Sequence, residues 1–304
     1  MFRRIELNKI NDVRRHYIIK MRGFFLKILK YILKELARAM IWRYNPGIVA
    51  ITGSAGKTSA KDAIKTVLKK DRRVRAAAGN LNNEIGLPLA ILGDWENAGN
   101  NPFFWIKVIL SSLARLALPL KYPEILILEY GIDHPGDMEY LLSIARPGIA
   151  VVTALGEVPV HVEFFSGPEA LAREKAKLDN QLPSLGFAIL NVDDAAVLGM
   201  ESQTRAHTIV FGMGDKAEMK IAHFENRSSS EGPLGISFKL EYGGSAVPIK
   251  LDGVFGKAQA YAVSAAASVG LIFGLNLVKI GEALEENYEP PKGRMRLIPV
   301  VKDS

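Results

Sequence analysis

The stretch Ile48-Val49-Ala50-Ile51-Thr52-Gly53-Ser54-Ala55-Gly56-Lys57-Thr58-Ser59 decides the fold class of this 304-residue chain. Its first five residues form a short, apolar, β-branched run of the kind that fills a parallel strand buried on both faces. Gly53 and Gly56 bracket a tight loop, and Ala60 to Lys70 is compatible with a helix. Strand, glycine loop and helix in that order are the context of a phosphate site. Glycines let backbone N–H groups approach phosphate oxygens, and the helix amino terminus adds favourable potential. Gly53, Ser54, Ala55 and Gly56 would form the cradle and Ser59 its far edge. Lys57 would lie between the β- and γ-phosphates of a nucleoside triphosphate, and the Thr58 hydroxyl would face Mg²⁺. Common phosphate loops carry four residues between the glycines, whereas only Ser54 and Ala55 stand here, which narrows the class.

Outward from this loop, short β-branched runs (Ile125 to Glu129, Ile149 to Thr153, Phe187 to Asn191, Thr208 to Phe211) alternate with helix-length segments. The expected fold is therefore α/β, a mostly parallel sheet flanked by helices. Alternating patterns at Met219 to Phe224, Ile236 to Tyr242 and Val247 to Leu251, separated by turn residues, add a small antiparallel region. The alanine-rich stretch Lys257 to Phe273 reads as a tightly packed helix.

The chain is 48% hydrophobic and 23% charged, with mean hydropathy +0.10, enough apolar material for a large core. The absence of cysteine excludes disulfides, thiolate metal sites and cysteine nucleophiles. The formal charge is +7, but residues 1–45 hold twelve Lys or Arg against Glu6, Asp12 and Glu35, leaving the remainder at −2. With the excess confined to one arm, a nucleic-acid partner is not expected.

No secretory leader is evident in the arm, and the expected setting is the cytoplasm. Phe24 to Trp42 is apolar, yet Lys27, Lys30, Lys34 and Arg38 recur at helical spacing, with Leu26, Leu29, Leu33 and Leu36 around the remainder. A spanning helix would bury those cations at about 2.5–3.5 kcal/mol each. Two readings of this basic amphipathic arm stay open: it lies on the anionic inner face of a membrane, or it packs on the next domain with its cations in water. A second apolar stretch, Phe103 to Leu118, carries Lys107 and Arg115 and reads as a buried or interfacial helix.

Five further blocks follow the loop in order: Gly79-Asn80-Leu81-Asn82-Asn83-Glu84-Ile85-Gly86-Leu87-Pro88, Leu126 to Gly131 with Asp133 to Asp137, Arg146-Pro147, His161-Val162-Glu163-Phe164-Phe165, and Glu174-Lys175-Ala176-Lys177. Together with the short loop they resemble the central domain of the Mur ligases. Within that family they are most similar to the branch that adds D-alanyl-D-alanine to the UDP-muramoyl-tripeptide. The resemblance spans residues 46–296, with residues 1–45 as the arm and 297–304 as the start of a linker.

The resemblance implies ATP and Mg²⁺ as cofactors and an amide bond formed through an acyl phosphate in peptidoglycan precursor synthesis. The implied substrates are a UDP-muramoyl-peptide and an amino-acid or dipeptide acceptor. It also implies that Lys57, Glu129, His161 and Lys175 are catalytic, and that Thr58, Glu129, His161 and a carbamylated Lys175 hold metal. Asn80, Asn82, Asn83 and His134 would lie on the substrate side. Chemistry independently favours Glu129, since it ends an apolar strand whose carboxyl end should adjoin the loop and Mg²⁺ prefers carboxylate oxygen. His161, in a loop, is by itself as readily structural.

One segment departs from the family. Mur ligases carry G-x-H-N-x-x-N-A, whereas Gly256-Lys257-Ala258-Gln259-Ala260-Tyr261-Ala262-Val263 has lost the histidine and both asparagines. Gln259 is left as the expected nucleotide contact. The family's UDP-sugar domain and closing carboxy-terminal domain have no counterpart in these residues, so a separate chain supplying the latter is an expected partner. A non-catalytic ATP-binding module acting with a partner is the competing expectation, with another P-loop NTPase or a folate-type ligase behind it.

Overall fold

The computed structural model describes residues 2–77, 79, 81–96, 98–99, 101–156, 162–230 and 232–291, with side chains from residue 23 onward. Asn80, His161 and residues 292–304 lie outside the described residues.

The helix α1 (Phe2–Tyr44) leads directly into strand β1 (Gly47–Thr52), and α2 (Lys57–Leu68) follows the glycine loop. The chain continues through β2 (Val74–Ala76), α3 (Gly86–Leu92), α4 (Pro102–Ala117), β3 (Ile125–Glu129), α5 (Asp137–Ile144), β4 (Ile149–Val152) and α6 (Pro168–Asn180). Next come β5 (Phe187–Asn191), α7 (Ala195–Leu198), β6 (His207–Gly212), β7 (Met219–Ser229), β8 (Gly232–Tyr242), β9 (Ser245–Asp252), α8 (Lys257–Ile272) and α9 (Leu277–Asn287). The nine strands make one sheet in the order β2-β3-β1-β4-β5-β6-β7-β8-β9. Pairing is parallel from β2 to β7 and antiparallel across β7, β8 and β9. The mixed sheet with one antiparallel edge is the arrangement that the two kinds of sequence periodicity anticipate.

Alternation along the buried strands builds two cores. Ile48, Ala50, Leu126, Leu128, Ala150, Val152 and Leu190 face a layer of α1, α3, α5 and α6. Val49, Ile51, Ile127, Val151, Ile189 and Phe211 face α2, α8 and α9. Both faces of the central strands are thus covered, which is why they read as unbroken apolar runs. β1 sits between β3 and β4, so the chain turns to opposite sides of β1 in its successive crossovers. That is the switch point at which open α/β sheets bind ligands, beyond the strands' carboxyl ends.

The carboxy-terminal half of α1 packs on this body. Leu33, Ala37 and Met40, at spacings of four and three, are fully buried in the first core. Its cations do not all remain in water. Lys30 Nζ pairs with Glu84 Oε1 at 2.7 Å, and Lys34 Nζ donates to Ser143 Oγ at 2.6 Å. β2 has no sequence signal of its own, being three residues with Arg75 turned inward against Asp94 and the Ile91 carbonyl.

Candidate functional site

The glycine loop is stapled to the exit of β4. Ser54 N and Ala55 N both donate to the Ala154 carbonyl, at 2.7 and 3.2 Å. The Thr153 hydroxyl lies 2.5 Å from the Ala55 carbonyl and 3.2 Å from that of Thr52. Gly53 has φ +142°, and a Cβ there would stand 2.1 Å from Thr153 Oγ1, so the loop closes only with glycine at this point. Gly56, at φ +83°, opens α2 with no side-chain cap. The first-turn amides of a helix have no intrahelical acceptor, and those of α2 have no side-chain cap, the arrangement that receives an anion.

Two lysines converge on one carbonyl. Lys57 Nζ donates to Gly53 O at 2.6 Å, and Lys175 Nζ, arriving from α6, donates to the same oxygen at 3.0 Å. Lys175 is buried, while Lys177, two residues on, is held at the surface side by Glu139 and Glu174. Burial first, and then the charge of Lys57, pull the Lys175 ammonium down to about 7, against the opposing attraction of Asp133.

Glu129 ends β3, paired in register with Ile51 of β1 and so two residues short of Gly53 on the adjacent strand. Its carboxylate is buried and forms an ion pair with Lys61 of α2 at 2.9 Å, both side chains being 3% exposed. The pair is close but not aligned as a hydrogen bond, and Glu129 Oε1 has none. A buried carboxylate oxygen of this kind suits a hard cation whose remaining ligands come from phosphate and water. Among the described residues no three His, Asp or Glu side chains converge to hold a metal by themselves.

Asn82 and Asn83 follow different courses. The Asn82 carbonyl accepts from Gly131 N at 2.8 Å, and its side chain packs where a Gly131 Cβ would be, beside the end of β3. Asn83 Oδ1 accepts from Ile85 N and Gly86 N at 3.2 and 2.9 Å, closing the turn that enters α3. His134 is exposed, its ring 4.7 Å from that of Phe164.

A cleft of about 320 Å³ opens from the glycine loop toward β5, β6 and α8, lined by Ala55, Gly56, Asn191, Asp193, Phe211 and Tyr261 among others. The Asp193 carboxylate accepts from Met213 N, Gly214 N and the Tyr261 hydroxyl, at 2.6, 2.8 and 2.8 Å. Burial and this bond to a carboxylate hold the Tyr261 phenol above its usual range. Gln259 is turned away from the residues that line this cleft. Its buried Oε1 accepts the Tyr288 hydroxyl at 2.6 Å. Residues 258, 261 and 262 share one helical face, while 259 lies about 100° round from 258, so Ala258, Tyr261 and Ala262 reach the cleft instead. Periodicity within the departed segment already contains this distinction. Asp193 and Lys61 have no comparable local signal, because each acquires its role from a neighbouring element.

A doubly wound α/β domain with a phosphate-type loop at its switch point is the class that this architecture defines. The family profile of the Mur ligase middle domain matches residues 109–270, more than half of the chain. The chain belongs to that family. It is 30% identical over 280 residues to the UDP-N-acetylmuramoyl-tripeptide--D-alanyl-D-alanine ligase of Mycobacterium leprae, covering 87% of this chain and 48% of that protein. It is 28% identical over 243 residues to the Bacillus subtilis enzyme of the same name, covering 80% of this chain and 45% of that protein. Crystal structures of MurF from Acinetobacter baumannii (TM-score 0.71, 22% identity, 90% of this chain and 53% of that one) and of MurF ligase from Thermotoga maritima in complex with ADP (0.66, 26%, 83% and 52%) share the fold. The chain spans about half the length of the curated relatives it matches.

Proposed function

We propose that this chain is the nucleotide-binding part of an ATP-dependent ligase that joins a carboxylate to an amine on a peptidoglycan precursor. The observation that carries the reading is the uncapped amino terminus of α2, flanked by Lys57 and Lys175 at Gly53 and continuous with the Asp193–Tyr261 cleft. Triphosphate would rest on the loop, with the nucleoside toward β5 and α8. The names of its relatives favour a UDP-muramoyl-tripeptide and D-alanyl-D-alanine as the joined substrates, and use of ATP favours the cytoplasm.

In this reading a carboxylate oxygen attacks the γ-phosphorus, the bond to the bridging oxygen breaks, and ADP leaves. The amine then attacks the acyl carbon of the acyl phosphate, inorganic phosphate departs with its oxygen, and the nitrogen loses a proton. Little covalent work falls to the protein, which supplies alignment and charge. Lys57 offsets charge gathering on the transferred group. Thr58 and Glu129 would hold Mg²⁺, which when bound neutralises phosphate charge. Lys175, partly neutral near pH 7, has the free electron pair that attack on CO2 requires, and the carbamate so formed would present carboxylate-like oxygens in place of an ammonium. Asn82 and His134, at the loops beyond β3, are assigned to the muramoyl-peptide side together with Asn83. By the resemblance alone, Asn80 is assigned to that same side and His161 to the metal.

The test is calorimetric titration with ATP and Mg²⁺, comparing the chain with Lys57→Ala, followed by phosphate release with UDP-muramoyl-tripeptide and D-alanyl-D-alanine. Loss of at least about tenfold in affinity, roughly 1.4 kcal/mol, is expected in the variant. Unchanged binding would remove the phosphate-site assignment. Tight binding by the parent chain with no phosphate release under any acceptor would instead establish a non-catalytic nucleotide-binding module.

A further inference from the structure

Helix α4 is apolar on two opposite faces, and the body uses only one. Phe104, Trp105, Val108 and Leu116 turn inward to the first core. Phe103, Ile106, Leu110 and Leu113, at spacings of three, four and three, turn outward and are 48–77% exposed. They mark a stripe about 15 Å long on a helix rising 1.5 Å per residue, and exposed Leu118 and Leu120 continue it past the helix end. Between them Ala114 and Ala117 are also exposed, and Lys107 is the single charged residue on this face. α1 packs against α4, and the Tyr44 hydroxyl and the Arg43 guanidinium bond the Arg115 and Leu118 carbonyls. α1 itself exposes Phe24, Phe25, Leu26, Ile28 and Tyr31 ahead of its buried portion, and Trp42 is 88% exposed. Soluble monomers seldom leave so many large apolar side chains exposed on two packed helices without a use for them.

We propose that this surface adsorbs to an anionic lipid bilayer. Charge selects the occupant. Residues 102–121 contain no acid, and of their three cations Lys107 and Lys121 are exposed while Arg115 bonds the Leu92 carbonyl; between Asp12 and Glu35 there are seven Lys or Arg and no acid, of which Lys30 and Lys34 are engaged by Glu84 and Ser143. Apolar side chains entering the acyl boundary with cations at the headgroups is the chemistry of an interfacial helix. A specific protein partner would need directional polar groups to set its register, and the outward positions of α4 offer none besides Lys107. No described helix is long and apolar enough to cross a membrane, so the contact is with the surface. α4 covers the sheet face opposite α8, and adsorption through it leaves the cleft beside α8 accessible.

The full chain is to be sedimented with phosphatidylcholine vesicles and with vesicles of phosphatidylcholine and phosphatidylglycerol at 7:3. Binding at least tenfold stronger to the anionic vesicles is expected, weakened in 0.5 M salt. Leu110→Glu with Leu113→Glu, both at exposed positions, should lower it by another tenfold without changing the melting temperature, and Phe24→Ser with Phe25→Ser should act independently in the same direction. Equal binding to both vesicles, or none, overturns the proposal. Light scattering that shows a concentration-dependent dimer, dispersed by the α4 variant and indifferent to vesicles, would assign the face to a second copy of the chain and overturn it as well.

Discussion

Replacing Gly53 by alanine tests whether the loop's shape, and not merely its lysine, makes the site. The new Cβ would lie 2.1 Å from Thr153 Oγ1 and 3.1 Å from the Ala154 carbonyl, at a backbone φ of +142°. Alanine in such a conformation is strained by about 1–3 kcal/mol. Thr153 would have to retreat by more than roughly 1 Å to reach ordinary contact, abandoning its approach to the Thr52 and Ala55 carbonyls, at about 1 kcal/mol for each bond lost. The expected loss is therefore about 3–5 kcal/mol in urea unfolding followed by tryptophan fluorescence, with ATP affinity reduced at least tenfold in the protein that remains folded. Gly136→Ala is the control. Its φ is +94° but nothing lies within 4 Å of the added Cβ, so only strain is felt. Adding Thr153→Ala to Gly53→Ala should relieve the clash and leave the strain and the lost hydroxyl bonding. A Gly53→Ala protein destabilised by less than about 1 kcal/mol, or one that binds ATP as before, would refute the account of the loop.

Two predictions concern buried charge. Lys61→Met strands the Glu129 carboxylate, 2% exposed, without its ion partner. A loss of about 3–5 kcal/mol is expected in urea unfolding, largely restored by adding Glu129→Gln; a loss below about 1 kcal/mol would contradict it. Asp179 on α6 is fully buried, neither carboxylate oxygen has a hydrogen bond among the described residues, and burial pushes its carboxyl up to about 7. Because the folded value lies above the unfolded 3.8, the folded state keeps a proton that the unfolded chain releases. Stability from this group is thus full below about 4 and is lost as pH rises toward 7. Asp179→Asn should raise the urea midpoint by the equivalent of about 2–4 kcal/mol at pH 8 and by much less at pH 5, and a difference independent of pH would exclude the mechanism.

The elements that were readable along the chain are those whose periodicity is local. β1, β3, β4, β5 and β6 are buried on both faces and appear as apolar runs bounded by loops, while β7, β8 and β9 alternate because one face meets solvent. The three-residue β2 is too short to carry a pattern, and Arg75 within it is stabilised by Asp94 and a carbonyl sixteen residues away. The amphipathic half of α1 was legible as a helix. Whether its cations met water, lipid or protein was not, since Lys30 is engaged by Glu84 and Lys34 by Ser143, both distant in sequence.

Sequence by itself determined the α/β class and the position of the phosphate loop, because a β-branched run, two glycines and a Lys-Thr pair impose their geometry within a dozen residues. Tertiary structure alone decided what surrounds that loop. It set Lys175 against Gly53 across 122 residues, gave Glu129 to Lys61, and turned Tyr261 rather than Gln259 toward Asp193. These are encounters between elements, governed by strand register and helix phase. Small angular differences there decide which of two neighbouring side chains meets the cleft and which meets the core.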